Sequence, residues 1–300
     1  PELADANMPE WDLIEYESLI DSSDANIEFW QKIADDIKKH YQDYDGFIVL
    51  HGTDTMAYTA SMVSFLLEGL AKPVIFTGSQ VPLSVIRSDG HNNVVNALYI
   101  AAHYKIPEVC ICFNDSLLRA NRATKISAAR FTAFKTFNYP KLARIGINID
   151  VDAKALLPMT DKKLCVAQLQ DTHVACFRFF PGMAHQILEA MLEKPTQAIV
   201  LETFGAGHIP TDPALLSLLK EAADSGVILV NCTQCSHGKV DMAAYHIGKE
   251  LLAMGMLSAS DMTVEATVTK LQYLLSQKKV VQDKLKELIG SNMRGEVSEK

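Results

Sequence analysis

The 300-residue chain lacks any run of about 18 consecutive apolar residues, the length that a helix needs to cross a bilayer. It also lacks an excess of positive charge, because 36 acidic residues outnumber 28 basic ones and the net charge is −8. A nucleic-acid partner requires basic patches that neutralise phosphates. We therefore expect neither a membrane nor a nucleic acid among the partners of this protein.

Cysteine is sparse, and the six cysteines do not form the dense pattern of a disulfide framework. Most lie in apolar runs and are predicted to be small buried side chains, which is typical of a reducing compartment and favours the cytoplasm. Cys232 and Cys235 form a C-x-x-C pair without a second cysteine or histidine pair at metal-binding spacing. The run Gly205-Ala206-Gly207-His208 lacks the third glycine of a dinucleotide fingerprint. We therefore expect no metal and no organic cofactor.

Apolar runs alternate with segments of helical periodicity along most of the chain, which is typical of parallel strands joined by helices. A strand is predicted at Trp11–Tyr16 and a helix at Asp24–Tyr41, with Asp24 as its N-cap. The pattern breaks after residue 150 and resumes near 173. The predicted fold class is α/β. We expect a larger N-terminal domain with a doubly wound, mostly parallel sheet (1–150), a linker (151–172) and a smaller C-terminal α/β domain (173–300).

The run Gly52-Thr53-Asp54-Thr55 follows an apolar strand directly and precedes a helix. Ligands of open α/β sheets bind at this kind of position, because strand ends meet there and the helix start offers free N–H groups. Thr53 and Asp54 can instead serve as ordinary helix caps. Three polar residues in a row exceed what a cap needs, so we favour a site.

Other polar segments could meet Thr53 and Asp54 at this edge. Lys125 could act as a base if burial lowers its basicity, although an isolated lysine is usually solvated. Asp21, Ser22 and Ser23 follow a strand-like run and could either cap a helix or bind a substrate carboxylate. Ser79 lies in the polar run after the third predicted strand. A hydroxyl, a carboxylate and an amine together suit acyl chemistry on a small amide.

Several runs of the sequence resemble the bacterial L-asparaginases, and most closely their type I, cytoplasmic branch. The resemblance rests on His51-Gly52-Thr53-Asp54-Thr55-Met56 with the downstream Lys125, and it extends over essentially the whole chain. Further matching runs are Asp21-Ser22-Ser23-Asp24, Thr77-Gly78-Ser79-Gln80, Arg87-Ser88-Asp89-Gly90, Asn231-Cys232-Thr233-Gln234-Cys235 and Asp261-Met262-Thr263-Val264-Glu265-Ala266-Thr267.

The resemblance implies hydrolysis of L-asparagine to L-aspartate and ammonia by a homo-oligomer, a dimer or tetramer, without a cofactor. It implies that Thr53 takes part in the nucleophilic chemistry, that Lys125 is the base, and that Asp54 holds the substrate ammonium and completes a Thr–Lys–Asp relay. Asp21, Ser22 and Ser23 would hold the substrate carboxylate, and Ser79 would line the amide end. The implied catalytic set is therefore Thr53, Asp54 and Lys125.

The sequence departs from the family pattern at its start. The family carries a Thr-Gly-Gly-Thr segment on its first strand, which supplies the primary threonine nucleophile, and that segment is absent here. We expect an incomplete chain rather than a natural short form. Three alternatives stay open: a glutaminase-asparaginase, one component of an amidotransferase, and a non-catalytic amino-acid sensor that has lost the nucleophile.

Overall fold

The computed structural model describes residues 3, 5–244, 246–277 and 282–299. The chain divides into two compact units, Pro1–Gln168 and Leu169–Lys300. Residues 151–172, predicted to be a linker, include a short strand at Cys165–Val166 that pairs within the first unit. The domain boundaries proposed from the sequence stay a prediction.

The first unit is built on a sheet of six strands, in the spatial order β1-β3-β4-β5-β8-β9, with two further two-stranded sheets, β2-β10 and β6-β7. Its strands are β1 Phe47–Leu50, β2 Leu67–Glu68, β3 Val74–Thr77, β4 Val109–Phe113, β5 Ser116–Arg119, β6 Ala123–Lys125, β7 Phe134–Thr136, β8 Ala143–Ile145, β9 Ile149–Val151 and β10 Cys165–Val166. Its α-helices are α1 Ile27–His40, α2 Met56–Leu66 and α3 Gly90–His103.

Strands β1, β3 and β4 are parallel, because a helix follows each of the first two and carries the chain back across the sheet. The remaining three strands continue the sheet in antiparallel fashion. The first reversal is a two-residue turn at Asn114 and Asp115, and Asn114 adopts a φ of 54°, which asparagine tolerates better than most residues. The carboxyl ends of β1, β3 and β4 therefore meet at one edge of the sheet.

Helix α2 is buried around almost its whole circumference, which explains why its sequence is apolar without a polar face. Helix α1 is amphipathic and buries Trp30, Ile33 and Ile37, which recur at helical spacing on one face. The indole N–H of Trp30 donates to the Thr59 hydroxyl at 3.0 Å, so the contact between the two helices also satisfies a buried hydroxyl. This packing fixes the position of the loop that leads into α2.

The second unit contains a parallel sheet with the strand order β11-β12-β13-β14. Its strands are β11 Val174–Arg178, β12 Ala198–Thr203, β13 Ile228–Thr233 and β14 Leu257–Ser258, and its helices are α4 His185–Leu192, α5 Pro213–Asp224, α6 His246–Ala253, α7 Val264–Ser276 and α8 Gln282–Gly290. The α/β class, with a larger sheet domain followed by a smaller one, is confirmed. No helix among the described residues is both long enough and apolar enough to span a bilayer.

Two details predicted from the sequence near the start of the chain are wrong. Residues Trp11–Tyr16 form no strand; their side chains are largely exposed, and no described strand pairs with them, so their strand propensity is not realised. Helix α1 begins at Ile27 with Asn26 as its N-cap, whose side chain accepts from the Phe29 N–H at 3.0 Å. Asp24 instead ends a short 3₁₀ turn that starts at Ser22.

A fully buried ion pair holds the C-terminal segment of the second unit. The ammonium of Lys270 lies 2.6 Å from the carboxylate of Glu296, and neither side chain is exposed. Lys270 also donates to the carbonyls of Ile289 and Ser291, while Glu296 accepts from the backbone N–H groups of Met293 and Arg294. Burial lowers the pKa of Lys270, and the facing carboxylate opposes that shift.

We expect Lys270→Met to lower the free energy of unfolding by about 3–5 kcal/mol, because it leaves a buried carboxylate without its cation. The double variant Lys270→Met/Glu296→Gln should be clearly more stable than the single one, since it removes the unpaired charge. Urea unfolding followed by circular dichroism measures both. A single variant within about 1 kcal/mol of the parent would contradict this view of the pair.

Candidate active site

The loop Gly52–Thr55 lies between β1 and α2, at the edge where the parallel strands end. The neighbouring loop after β3 approaches it closely: a side chain at Gly78 would place its Cβ 2.3 Å from the carbonyl oxygen of His51. Only glycine permits this approach, because any other residue would collide with the backbone. The two loops are thereby held against each other.

The turn that carries Asp21, Ser22 and Ser23 packs on the same loop. A Cβ at Gly52 would lie 2.6 Å from the Ser22 hydroxyl, and the Thr55 hydroxyl donates to the Ser22 carbonyl at 2.5 Å. The structure thus places the predicted carboxylate-binding residues beside Thr53. Ser22 is buried, whereas Asp21 and Ser23 are exposed.

The Asp21 carboxylate caps its own turn and is oriented by it. It accepts from the Ser23 N–H at 2.9 Å and from the Ser23 hydroxyl at 2.8 Å. These two hydrogen bonds hold the pKa of Asp21 below its usual range, so the group is a carboxylate at neutral pH. The capping function considered from the sequence is therefore present, within a turn that borders the site.

Lys125 ends strand β6 and reaches the loop from the other side. Its Nζ donates to the Thr53 hydroxyl at 2.8 Å and to the Asp54 carboxylate at 2.5 Å. The side chain of Lys125 is 19% exposed and that of Asp54 is 68% exposed. The amine of the predicted catalytic set thus contacts both the hydroxyl and the carboxylate, and the catalytic roles of the three residues stay a prediction.

Neither Thr53 nor Asp54 caps helix α2, the alternative considered from the sequence. Helix α2 begins at Met56 with Thr55 as its N-cap, and no side chain closes a capping hydrogen bond there. Thr53 and Asp54 bond to Lys125 instead. Their position before the helix therefore serves the contact with a distant lysine.

Gln80 is a member of the site that the sequence did not single out. Its Oε1 accepts from the Thr53 hydroxyl at 3.2 Å. The predicted residue Ser79 lies half-buried beside it. The sequence signal for Gln80 is its position directly after Ser79, in the run Gly78-Ser79-Gln80. The sequence does not indicate which residue a polar side chain at this position bonds to.

The arrangement can hold a zwitterion and act on a neutral amide. The exposed carboxylates of Asp21 and Asp54 and the serine hydroxyls offer charge and hydrogen bonds, while Thr53 offers a hydroxyl in contact with an amine. Within the described part of the chain, no group of three or more histidine, cysteine or acidic side chains has metal-binding geometry. In the C-x-x-C pair, burial raises the pKa of Cys232 to about 12, which keeps this thiol protonated and disfavours a redox role.

His51 precedes the loop and is buried against the rings of Phe29 and Phe76. Its Nδ1 lies 2.6 Å from the Gly52 carbonyl, which can only accept, so Nδ1 carries the proton. Among the described residues no group bonds to Nε2, which is buried. Burial lowers the pKa of His51, so the ring stays neutral in the folded protein.

This burial predicts an acid-sensitive contribution to stability. The unfolded chain protonates His51 near pH 6.5, whereas the folded protein does so only at lower pH, so the stability contribution is present above about 6.5 and declines as the pH falls. Relative to wild type, His51→Phe should become more stable as the pH drops from 7.5 to 5. Urea unfolding at several pH values measures the difference, and a difference that does not change with pH would refute the prediction.

Comparison with known proteins finds relatives that match almost the whole length of the chain. The family model "Asparaginase, N-terminal" matches residues 2–157, and "Glutaminase/Asparaginase C-terminal domain" matches residues 173–289. L-asparaginase 1 of Escherichia coli K12 is 46% identical over 298 residues, which are 99% of this chain and 88% of that protein.

Two further similarities cover most of the chain. The crystal structure of L-asparaginase I from Vibrio cholerae superimposes with a TM-score of 0.93 at 43% identity, covering 99% of this chain and 89% of that one. One component of the glutamyl-tRNA(Gln) amidotransferase of Methanobrevibacter smithii is 31% identical over 93% of this chain and 65% of its own length. With both family models matched in order, the chain belongs to the asparaginase family of enzymes.

Proposed function

We propose that this protein hydrolyses the side-chain amide of L-asparagine to L-aspartate and ammonia. The observation that carries the proposal is the contact of Lys125 with both Thr53 and Asp54, at 2.8 and 2.5 Å, beside the Asp21–Ser23 turn. A nucleophile within hydrogen-bond reach of its base, with a third group orienting that base, is the arrangement that activates a hydroxyl. The L-asparaginases similar to this chain support the choice of substrate.

The charges around Thr53 fit the two ends of an amino acid. The Asp54 carboxylate is largely exposed and can receive the substrate α-ammonium while it still contacts Lys125. Ser22 and Ser23 offer hydroxyl groups to the α-carboxylate, and the N–H groups of their short turn add donors. Binding both charges would hold the side-chain amide at a fixed distance, within reach of Thr53.

In the proposed reaction the Thr53 oxygen attacks the amide carbon and its proton passes to Lys125. The proton then reaches the leaving nitrogen, the C–N bond breaks, and ammonia departs. Water then attacks the resulting ester and gives a proton to Lys125. The bond between the acyl carbon and the Thr53 oxygen breaks, Lys125 returns the proton to that oxygen, and aspartate is released. In this scheme Lys125 accepts a proton in both halves of the reaction, so it acts in its neutral form.

We expect Thr53→Ala and Lys125→Ala each to lower ammonia release from asparagine by at least about a hundredfold, because each removes a participant in proton transfer. A coupled ammonia assay on purified protein measures the rates. Gln31→Met is the control, because the Gln31 amide bonds to Asp35 and Ala167. Near-wild-type turnover in either variant would refute the relay.

A second arrangement differs in which threonine is acylated. Strand β1 has β3 as its sole strand neighbour among the described residues, so its outer edge can accept another strand. If an added strand carried the nucleophile that the family pattern implies, Thr53 would activate water instead. Acid quench during turnover followed by peptide mass spectrometry discriminates the two: an acyl group on Thr53 supports the first arrangement.

The amidotransferase relative keeps a second substrate class open, since that protein is named for glutamyl-tRNA. One methylene changes binding by only about 1–3 kcal/mol, so asparagine and glutamine need a direct comparison. Parallel assays should give a higher kcat/KM for asparagine. Equal values would favour a glutaminase-asparaginase, and tight binding of either amino acid without ammonia release would favour a sensor.

We also propose that the enzyme is a homo-oligomer in the cytoplasm. The loop after β3 exposes Leu83, Val85 and Ile86, the last at 91%, and contiguous exposed apolar side chains often mark a protein interface. All six cysteines are free thiols, which suits a reducing compartment. Light scattering during size-exclusion chromatography would give the mass, and a value near 33.1 kDa would refute association.

A further inference from the structure

The side-chain amide of Gln80 has only one orientation that satisfies its neighbours. Its Nε2 lies 3.1 Å from the carbonyl oxygens of both Ser127 and Arg130. Carbonyl oxygens only accept, so the NH₂ group faces them and Oε1 faces Thr53. The loop between β6 and β7 therefore determines which end of Gln80 meets the Thr53 hydroxyl.

This orientation assigns every proton on the line from Lys125 to Gln80. Oε1 can only accept, so the single O–H of Thr53 points to Gln80. The Lys125 ammonium then donates to a lone pair of the same oxygen. Thr53 is thus held from two sides, by a donor and by an acceptor that belong to different loops.

The backbone of Gln80 is itself held by the start of helix α3. The Asp89 carboxylate accepts from the N–H groups of Gln80, at 3.0 and 3.1 Å, and of Val81, at 3.1 Å. The buried amide of Asn93 donates to Asp89 at 3.1 Å and to the Gly78 carbonyl at 2.9 Å. These hydrogen bonds hold the loop after β3 in place, so the side chain of Gln80 has little freedom to move away from Thr53.

We propose that Gln80 is a positioning residue of the amide hydrolysis, whose Oε1 fixes the side chain of Thr53 at the distance from Lys125 that proton transfer requires. The inference rests on the proposed function. Gln80 acts through Thr53 and takes no proton from it. When Lys125 becomes the acceptor, the Thr53 O–H turns from Gln80 to Nζ while its oxygen stays in place.

Two opposing effects follow from removing Gln80, and their sizes decide the outcome. Without its neutral, 3.2 Å hydrogen bond to Gln80, the Thr53 O–H would rotate toward Lys125 more easily, and this would speed proton transfer by a factor of about 2–10 at most. Losing the position of a reacting group by about 1 Å slows a reaction by a factor of about 100. The loss is larger, so removal of Gln80 should slow the chemical step.

The first test is Gln80→Met, which keeps the length of the side chain and removes both its donor and its acceptor. We expect kcat for asparagine to fall by about 10–100-fold while KM changes by less than about threefold, because the groups proposed to bind the substrate charges are untouched. Gln31→Met is the matched control, since the amide of Gln31 also donates to a backbone carbonyl, that of Ala167, and it should keep the wild-type kcat.

The second test is Gln80→Glu, which keeps an acceptor oxygen at the Oε1 position. When the carboxyl is ionised, the atom that faces the Ser127 and Arg130 carbonyls is an acceptor and no longer a donor. A protonated glutamic acid has one O–H and restores a donor to one of the two carbonyls, that of Ser127 or Arg130, so it should replace glutamine in part and only at low pH. We expect the ratio of variant to wild-type kcat to rise by at least about threefold between pH 7.5 and 5. A purely structural role of Gln80 would leave this ratio constant.

The outcomes separate this inference from the proposed function. If the wild type releases ammonia and Gln80→Met keeps its kcat, the positioning role is overturned while the hydrolysis stands. If Gln80→Met fails to fold, the pH dependence of the Gln80→Glu ratio decides, and a flat ratio overturns the inference. A wild type that releases no ammonia from asparagine or glutamine overturns the proposed function itself.

Discussion

The organisation of the site depends on one ion pair, between Lys125 and Asp54, whose ammonium also bonds to the Thr53 hydroxyl. Lys125 bonds to Asp54 and Thr53, which lie 71 and 72 residues earlier in the chain. The contact joins the hairpin of β6 and β7 to the loop after β1, so it links segments that are far apart in the sequence. The ammonium is mostly buried and the carboxylate mostly exposed. That asymmetry leaves the outer face of Asp54 available to a second cation.

The loops around the Lys125–Asp54 pair can lie close together because two glycines, Gly52 and Gly78, have no side chain at their points of contact. Gly52 and Gly78 each stand where a Cβ would overlap atoms of the adjacent segment, Ser22 in the first case and His51 in the second. Glycine at these positions permits approach at the cost of chain entropy in the unfolded state. The geometry of the site therefore depends on two residues without side chains as well as on those that carry the chemistry.

The sequence was sufficient to predict the fold class and the segments that form the site, but not the contacts that individual residues make. Periodicity identified the buried strands and helices because their burial forces a regular apolar pattern. It failed at Trp11–Tyr16, where a strand-like sequence has no described neighbour to pair with, since pairing is a property of the whole sheet. Fold class is set by local patterns, whereas strand pairing depends on which distant segments are adjacent.

The same distinction explains why Thr53, Asp54 and Lys125 could be proposed from the sequence and Gln80 could not. A hydroxyl, an acid and an amine have intrinsic reactivity, so their presence in matching motifs suggests a chemistry before any distance is known. An amide has none, and its importance comes only from orientation: the carbonyls of Ser127 and Arg130 decide which atom it presents. A neutral side chain becomes a directional element only when the fold fixes both of its ends. Residues of this kind are identifiable only from three-dimensional contacts, because their effect comes from direction and not from reactivity.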